Sequence, residues 1–329
     1  MKQKDENTYE EPLVTDLPGI GMVMAEKLAE AGYSTVIKIA GCSVKEFAEL
    51  TKMTEISANK VITKARDICG MGFVDALEYQ EKRKSVFHIS TGSKAIDGII
   101  EGGVESGSIT EFYGEFGSSK TQIAHQAAVN VQLPVEKGGQ GEDSIVIYVD
   151  TEGAFRPQRI TQMAKGVGLD ENKILKNILV ARATTSDHQV VLVDKIEELF
   201  SKKVKIKLII IDSLVSQFRA EFVGRGTLAD RQQRINSHMN KLKKYSSLYN
   251  CAIVVTNQVY ENPGQFFGDP TGPVGGHIVG HASTYRIYLR KGKKGTRVAK
   301  LIDAPHLADA EAIFAIEEQG VIDVKGETK

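Results

Sequence analysis

Two patterns of apolar spacing divide the chain. Over residues 13–70 apolar positions recur at three- and four-residue intervals, the period of helices buried on one face. Leu17, Pro18, Gly19, Ile20 and Gly21 form a tight turn before a helix predicted over 22–31, which Gly32 stops. Ser43 followed by Glu46 is a capping-box start, with Val44, Phe47, Ala48 and Leu50 at helical spacing behind it. A further helix is predicted over 58–68, and nothing in this unit reads as strand. From Val86 the pattern changes to short apolar runs at 108–113, 144–149, 178–181, 207–211 and 251–256. Between them lie amphipathic stretches at 121–131, 160–166, 187–200 and 228–248. Strands in continuous apolar runs, alternating with helices, predict an α/β fold with a mostly parallel sheet covered on both faces. Residues 1–12 read as a polar, flexible tail, and 71–85 as a connector with an apolar front and a charged back.

Composition narrows the function classes. The chain has 329 residues, enough for one large or two smaller cores. Lys plus Arg and Asp plus Glu are both 42, so no global basic field is available for gripping nucleic acid, and any such contact must be local. Cys42, Cys69 and Cys251 are far apart and odd in number, which argues against a disulfide framework or a zinc site and fits a reducing compartment. The segment MKQKDENTYEEP does not read as a signal peptide, and no apolar run approaches the ~18 residues of a membrane span.

The candidate chemistry sits at strand ends. GEFGSSKT, residues 114–121, follows a predicted strand and precedes a predicted helix, the context of a phosphate-binding loop. Gly114 and Gly117 let backbone N–H groups curl around phosphate, and the helix N-terminus adds positive potential. Lys120 is placed to reach the β- and γ-phosphates, and the Thr121 hydroxyl to hold Mg²⁺. Ser119 departs from the pattern, which has glycine there; serine is accommodated at negative φ and strained at positive φ. KLIIIDS ends a strand in Asp212, positioned for the metal's water shell. YVDTEG ends another and offers Glu152, with Asp150 as the rival, to polarise a water for attack on the γ-phosphate. VVTNQ places the Gln258 amide at a fourth strand end, where it can report on the γ-phosphate.

These residues, with STGSKAIDGIIEGGVESGSITEFYGEFG, VDTEGAFRP, LIIIDSL, FRAEFVGRGTLADRQQ, VVTNQV and LIDAPHL in that order, resemble the RecA/RadA recombinase family from about Val14 to Ile322. The resemblance implies a RecA-like P-loop ATPase core over 86–329, preceded by a small all-α helix-hairpin-helix domain over 13–70. It implies an ATP- and Mg²⁺-dependent protein, K⁺ possible beside them, that forms helical filaments on single-stranded DNA and pairs them with homologous duplex. By resemblance, Gly114, Glu115, Phe116, Gly117, Ser118, Ser119, Lys120, Thr121 and the adjoining Gln122 bind nucleotide. Arg159 matches an adenine-stacking arginine, Glu152 the catalytic glutamate and Gln258 the γ-phosphate sensor. Asp303 matches the cap that a neighbouring subunit places over ATP. Cytoplasmic, nucleoid-associated localisation and recombination mediators as partners follow from the same likeness.

Two segments are candidates for DNA. The first contains Arg219 and Arg225 among glycines and runs on to Arg231 and Arg234. The second, 260–281, carries six glycines, Gly275 and Gly276 among them, with Phe266 and Phe267, and hangs directly from Gln258. A basic stretch at 286–300 with seven Lys/Arg and no acid reads equally as a solvated hairpin or a DNA-backbone contact. Residues 1–70 carry nine Lys/Arg and eleven Asp/Glu, so duplex binding by the helical unit is expected to be weak. Phe73 and Ala76 match the family's F-x-x-A polymerisation motif, with a receiving surface that includes Ala181 and Ala183. Such head-to-tail contacts build rings or open helices. An ATP-holding mediator or filament scaffold with little turnover is the main alternative, favoured by Ser119.

Overall fold

The structure is a computed structural model that describes residues 12–261 and 271–324. The chain divides into two compact units, Met1–Glu81 and Lys82–Lys329. In the first, α1 (Met22–Glu30), α2 (Val36–Ala40), α3 (Val44–Thr51) and α4 (Glu55–Ile68) enclose a core of Leu28, Ile39, Phe47, Val61 and Ile62. The predicted cap at α3 is present, the Ser43 hydroxyl accepting the Glu46 N–H at 3.2 Å. Gly19, at φ +76°, makes the turn into α1. The connector is not structureless: residues 76–83 wind into α5 (Ala76–Arg83), started by Asp75, whose carboxyl accepts the Glu78 N–H.

The second unit begins with β1 (His88–Ile89), α6 (Lys94–Ile99), β2 (Val104–Glu105), β3 (Ile109–Gly114) and α7 (Lys120–Asn130). There follow β4 (Ile145–Asp150), α8 (Pro157–Gly166), α9 (Glu171–Lys176), β5 (Ile178–Arg182), α10 (Ser186–Ser201), β6 (Ile206–Asp212), α11 (Ser216–Glu221) and α12 (Leu228–Tyr249). Then come β7 (Ala252–Asn257), β8 (Val259–Glu261), β9 (Thr271–Pro273), α13 (Gly276–Ala282), β10 (Tyr285–Lys291), β11 (Arg297–Asp303), β12 (Ala310–Glu317) and β13 (Gly320–Asp323). Nine strands form one sheet in the order β13-β12-β11-β10-β3-β7-β6-β4-β5. The run from β10 to β5 is parallel, and β10 through β13 form an antiparallel meander.

The continuous apolar runs are explained by burial on both faces. Leu208 and Ile210 join one core cluster with Val146, Tyr148 and Val254; Ile209 and Ile211 join the other with Ile147, Val149 and Val255. The period of two thus decides the face, while every position stays apolar. Phe112 on β3, fully buried, aligns with Ile287 on β10 and Thr256 on β7. Phe112→Ala is expected to cost about 3–5 kcal/mol in chemical denaturation, because it opens a cavity two residues before the phosphate loop; a change below ~1 kcal/mol would contradict this packing. The basic stretch at 286–300 does form a hairpin, turning at 293–295, but it is no solvated appendage. Ile287 and Leu289 are buried, and β10 pairs with β3 on its other side.

Candidate nucleotide-binding site

The loop 114–119 leaves the C-terminal end of β3 and enters α7 at Lys120. No side chain fits at Gly114, where a Cβ would stand 2.1 Å from the Leu289 carbonyl oxygen on β10. At Gly117, φ is +76°. The backbone path itself excludes a side chain at 114 and favours glycine at 117. Ser119 also has positive φ, at +83°, so the departure noted in the sequence falls on a left-handed residue. The Lys120 ammonium donates to the carbonyls of Gly114 at 2.8 Å and Glu115 at 2.9 Å, bridging the mouth of the loop. Burial lowers the Lys120 pKa, and the negative fields of Glu152, Asp212 and Glu115 pull it back up.

Sheet order brings the other candidates to this loop. β3 neighbours β7, β7 neighbours β6 and β6 neighbours β4, so the ends of all four strands stand side by side. They open into a cleft of about 990 Å³ whose lining includes Lys120, Thr121, Glu152, Arg159, Asp212 and Gln258. The Asp212 carboxyl is buried and accepts the Tyr148 hydroxyl at 2.7 Å and the Thr256 hydroxyl. Burial raises the Tyr148 pKa well above its ordinary value, with Asp212 adding to the shift, so the phenol remains a donor. Glu152 accepts the Gln258 side-chain amide at 2.8 Å. Asp150 is engaged elsewhere: its two oxygens accept the backbone N–H groups of Glu152, Gly153, Ala154 and Phe155. It builds the turn that carries Glu152 into the cleft.

Residues that sequence reasoning missed support this floor. His125 on α7 is buried between Tyr148 and Phe155, with ring centroids at 5.4 and 5.2 Å. Burial holds its pKa below the usual histidine range. Its Nδ1 donates to the Thr121 carbonyl at 2.8 Å and Nε2 accepts the Arg156 N–H at 3.5 Å, which fixes the neutral tautomer. Arg297 of β11 also lines the cleft and reaches Ser119. No local pattern marks either residue, since both act across long sequence separations.

The flank of the cleft is held by Arg159. It donates to the Gln122 side chain at 2.7 Å, the Gln162 side chain at 3.0 Å, and the carbonyls of Glu317 and Glu318 at 2.7 Å each. Asp303 is exposed at the end of β11 and does not line this cleft. Among the described residues no cluster of three or more His, Cys, Asp or Glu could hold a metal by itself. The oxygen-only set of Thr121 and Asp212 nonetheless suits a hard cation carried in on phosphates.

A family model described as Rad51 matches residues 82–324, and one described as SAM-like Helix-hairpin-helix tandem matches residues 11–67. The chain belongs to the Rad51 family. It is 49% identical to a DNA repair and recombination protein RadA of Methanococcus maripaludis (strain C6 / ATCC BAA-1332) over 94% of this chain and 99% of that protein. A protein of the same name from Methanococcus voltae is equally similar, at 49% identity over the same shares. In this Rad51-family chain the four strand ends belong to the Rad51-matched region, and the all-α unit to the helix-hairpin-helix match.

The structure distributes the remaining Rad51-family candidates as follows. Gln258 roots an antiparallel ladder of β8 and β9, its carbonyl accepting the Val274 N–H at 2.9 Å. Beside it, buried Asn257 donates to Glu111 at 2.9 Å and to the Val274 carbonyl at 2.6 Å, and Arg286 pairs with Glu111 at 2.9 Å. Arg286 therefore faces inward and is not part of a basic surface, contrary to the grouping by sequence. Gly275, at φ +96°, caps α13, which Gly276 begins; Phe266 lies outside the described residues. The described part of 260–281 is thus built from a ladder and a helix. In the first DNA candidate, Arg219 is exposed on α11, Arg225 opens a short 3-10 turn, and Arg231 is half-buried on α12. Arg234, also on α12, pairs with Asp187 and lies over the Phe222 ring at 5.2 Å.

The assembly candidates differ in exposure. Phe73 is fully exposed, and Ala76 begins α5, so the motif is not extended throughout. Among the described strands β5 pairs only with β4 and ends the sheet, with Leu179 and Val180 partly exposed and Ala181 half-buried. Ala183 is buried in the second core cluster, so in this conformation its side chain packs inward and forms no open surface. No described helix is long and apolar enough to cross a membrane.

Proposed function

We propose that this chain is an ATP-dependent DNA recombinase, a DNA-dependent ATPase that assembles head to tail on single-stranded DNA and exchanges strands with homologous duplex. The observation that carries this reading is the meeting of the phosphate loop, Asp212, Glu152 and Gln258 at four adjacent strand ends. The loop 114–119 and the start of α7 offer N–H groups to the β- and γ-phosphates. Lys120 then exchanges its two carbonyl partners for phosphate oxygens. Thr121 and Asp212 would hold Mg²⁺, which neutralises charge on the phosphates when bound. Arg159 receives the adenine, and Glu152 orients and deprotonates the attacking water. Asp303 serves the neighbouring subunit's site.

Coupling to DNA follows from the Glu152–Gln258 hydrogen bond. A γ-phosphate that draws Gln258 away from Glu152 biases the β8/β9 ladder and the 260–281 segment it roots. Binding free energies couple reciprocally, so MgATP is expected to tighten single-stranded DNA binding by roughly fivefold or more. Fluorescence anisotropy of a labelled oligonucleotide, with and without MgATP, reads this directly; equal affinities would remove the coupling. The left-handed Ser119 favours one second reading, an ATP-holding scaffold. DNA-stimulated hydrolysis by the native chain supports the recombinase. Hydrolysis that appears only after Ser119→Gly supports the scaffold.

A further inference from the structure

Among the described residues six non-glycines have positive φ, and Ser119 alone of these lies in the phosphate loop. A side chain in that region is strained where glycine is not, so something must hold it. The Ser119 hydroxyl accepts from Nε of Arg297 at 3.2 Å. Arg297 is itself anchored before it reaches the loop. Its Nη1 donates to the Gly295 carbonyl at 2.8 Å and the Thr296 carbonyl at 2.9 Å. That turn is closed by Thr296, whose N–H and hydroxyl both donate to the Lys293 carbonyl, and by Gly292, whose N–H donates to the Thr296 carbonyl.

We propose that Arg297 is a positioning residue for the phosphate loop: its Nε–H latches the Ser119 hydroxyl, holds residue 119 left-handed, and keeps the loop's N–H groups turned toward the phosphates. The assignment rests on the nucleotide reading of the cleft. A cation on the cleft wall has a second way to act, by touching phosphate directly. The two differ in one respect. A latch depends on the serine hydroxyl, and a direct phosphate contact does not.

A double-mutant cycle separates them, with Ser119→Gly, Arg297→Ala and the pair measured against the native chain. Calorimetric Kd values for MgATP and MgADP are one readout, and melting temperature without nucleotide is the other. The loss of MgATP affinity caused by Arg297→Ala is expected to be roughly fivefold larger in the native background than in the Ser119→Gly background, the size of one hydrogen bond. MgADP is expected to show the same ratio, because the loop holds phosphates common to both. Melting temperature without nucleotide is expected to be non-additive in the same direction. Equal losses of MgATP affinity in both backgrounds would overturn the latch and leave the nucleotide reading standing. Additive melting temperatures would remove the hydrogen bond itself. No MgATP binding by the native chain would overturn the nucleotide reading and this assignment together.

Discussion

Lys120→Ala is expected to abolish ATP-dependent strand exchange. The ammonium contributes nothing to either hydrophobic core; its contacts are the two loop carbonyls and the fields of Glu152, Asp212 and Glu115. With the ammonium gone, these carboxyl groups face incoming phosphates with less positive charge to offset them, and like charges at short range oppose binding. Each charge-assisted hydrogen bond to phosphate is worth about 1.5–3 kcal/mol, so MgATP affinity is expected to fall roughly 10- to 150-fold. Charge developing in the transition state adds a further loss of about 10²–10³ in turnover. Melting temperature should change little, which separates lost chemistry from lost folding. Strand exchange between single-stranded DNA and a labelled homologous duplex checks the result. Undiminished exchange would take the cleft out of the mechanism.

Phe73→Ala is expected to leave single, folded subunits. A fully exposed phenylalanine makes no contribution to its own unit's core, so its removal should not lower monomer stability. Docked in a neighbour, the same ring is worth at least about 2 kcal/mol, a hot-spot contribution that corresponds to roughly 30-fold per contact. In a repeating assembly that loss is incurred at every junction. The proposed receiving side is the β5 edge, where Leu179 and Val180 are already partly exposed and the strand's outer side has no ladder partner among the described residues. Light scattering with increasing protein concentration reads the outcome directly. Large assemblies that persist in the variant would mean that another surface carries the contact.

The sequence disclosed most of what is local. The strands read at 144–149, 207–211 and 251–256 begin and end within a residue of those observed, because burial on both faces leaves unbroken apolar runs. The loop at 114–119 was legible from its glycines, and the Gly114 contact with Leu289 explains one of them. Strand order was not legible, and the site depends on it: Asp212 and Gln258 become neighbours only because β6 and β7 are adjacent. At one strand end the sequence favours Glu152 over Asp150 without showing what Asp150 does instead: its oxygens accept four backbone N–H groups. Arg286 looked like surface charge in a run of lysines and arginines, yet its partner Glu111 lies 175 residues away. Pairings at that separation leave no periodic trace.

The far edge of the sheet differs in kind from β5. β13 is short, and the Val321 N–H that would invite another strand is taken by the buried Gln126 side chain at 3.0 Å. Asp323 at its end is bound to Ser93 and to the backbone of Lys94 and Ala95. A sheet with one open border and one sealed border cannot be continued edge to edge through a row of copies. Any longer row of these molecules must therefore bring a segment from outside the sheet to each β5 edge, which gives the row a front and a back.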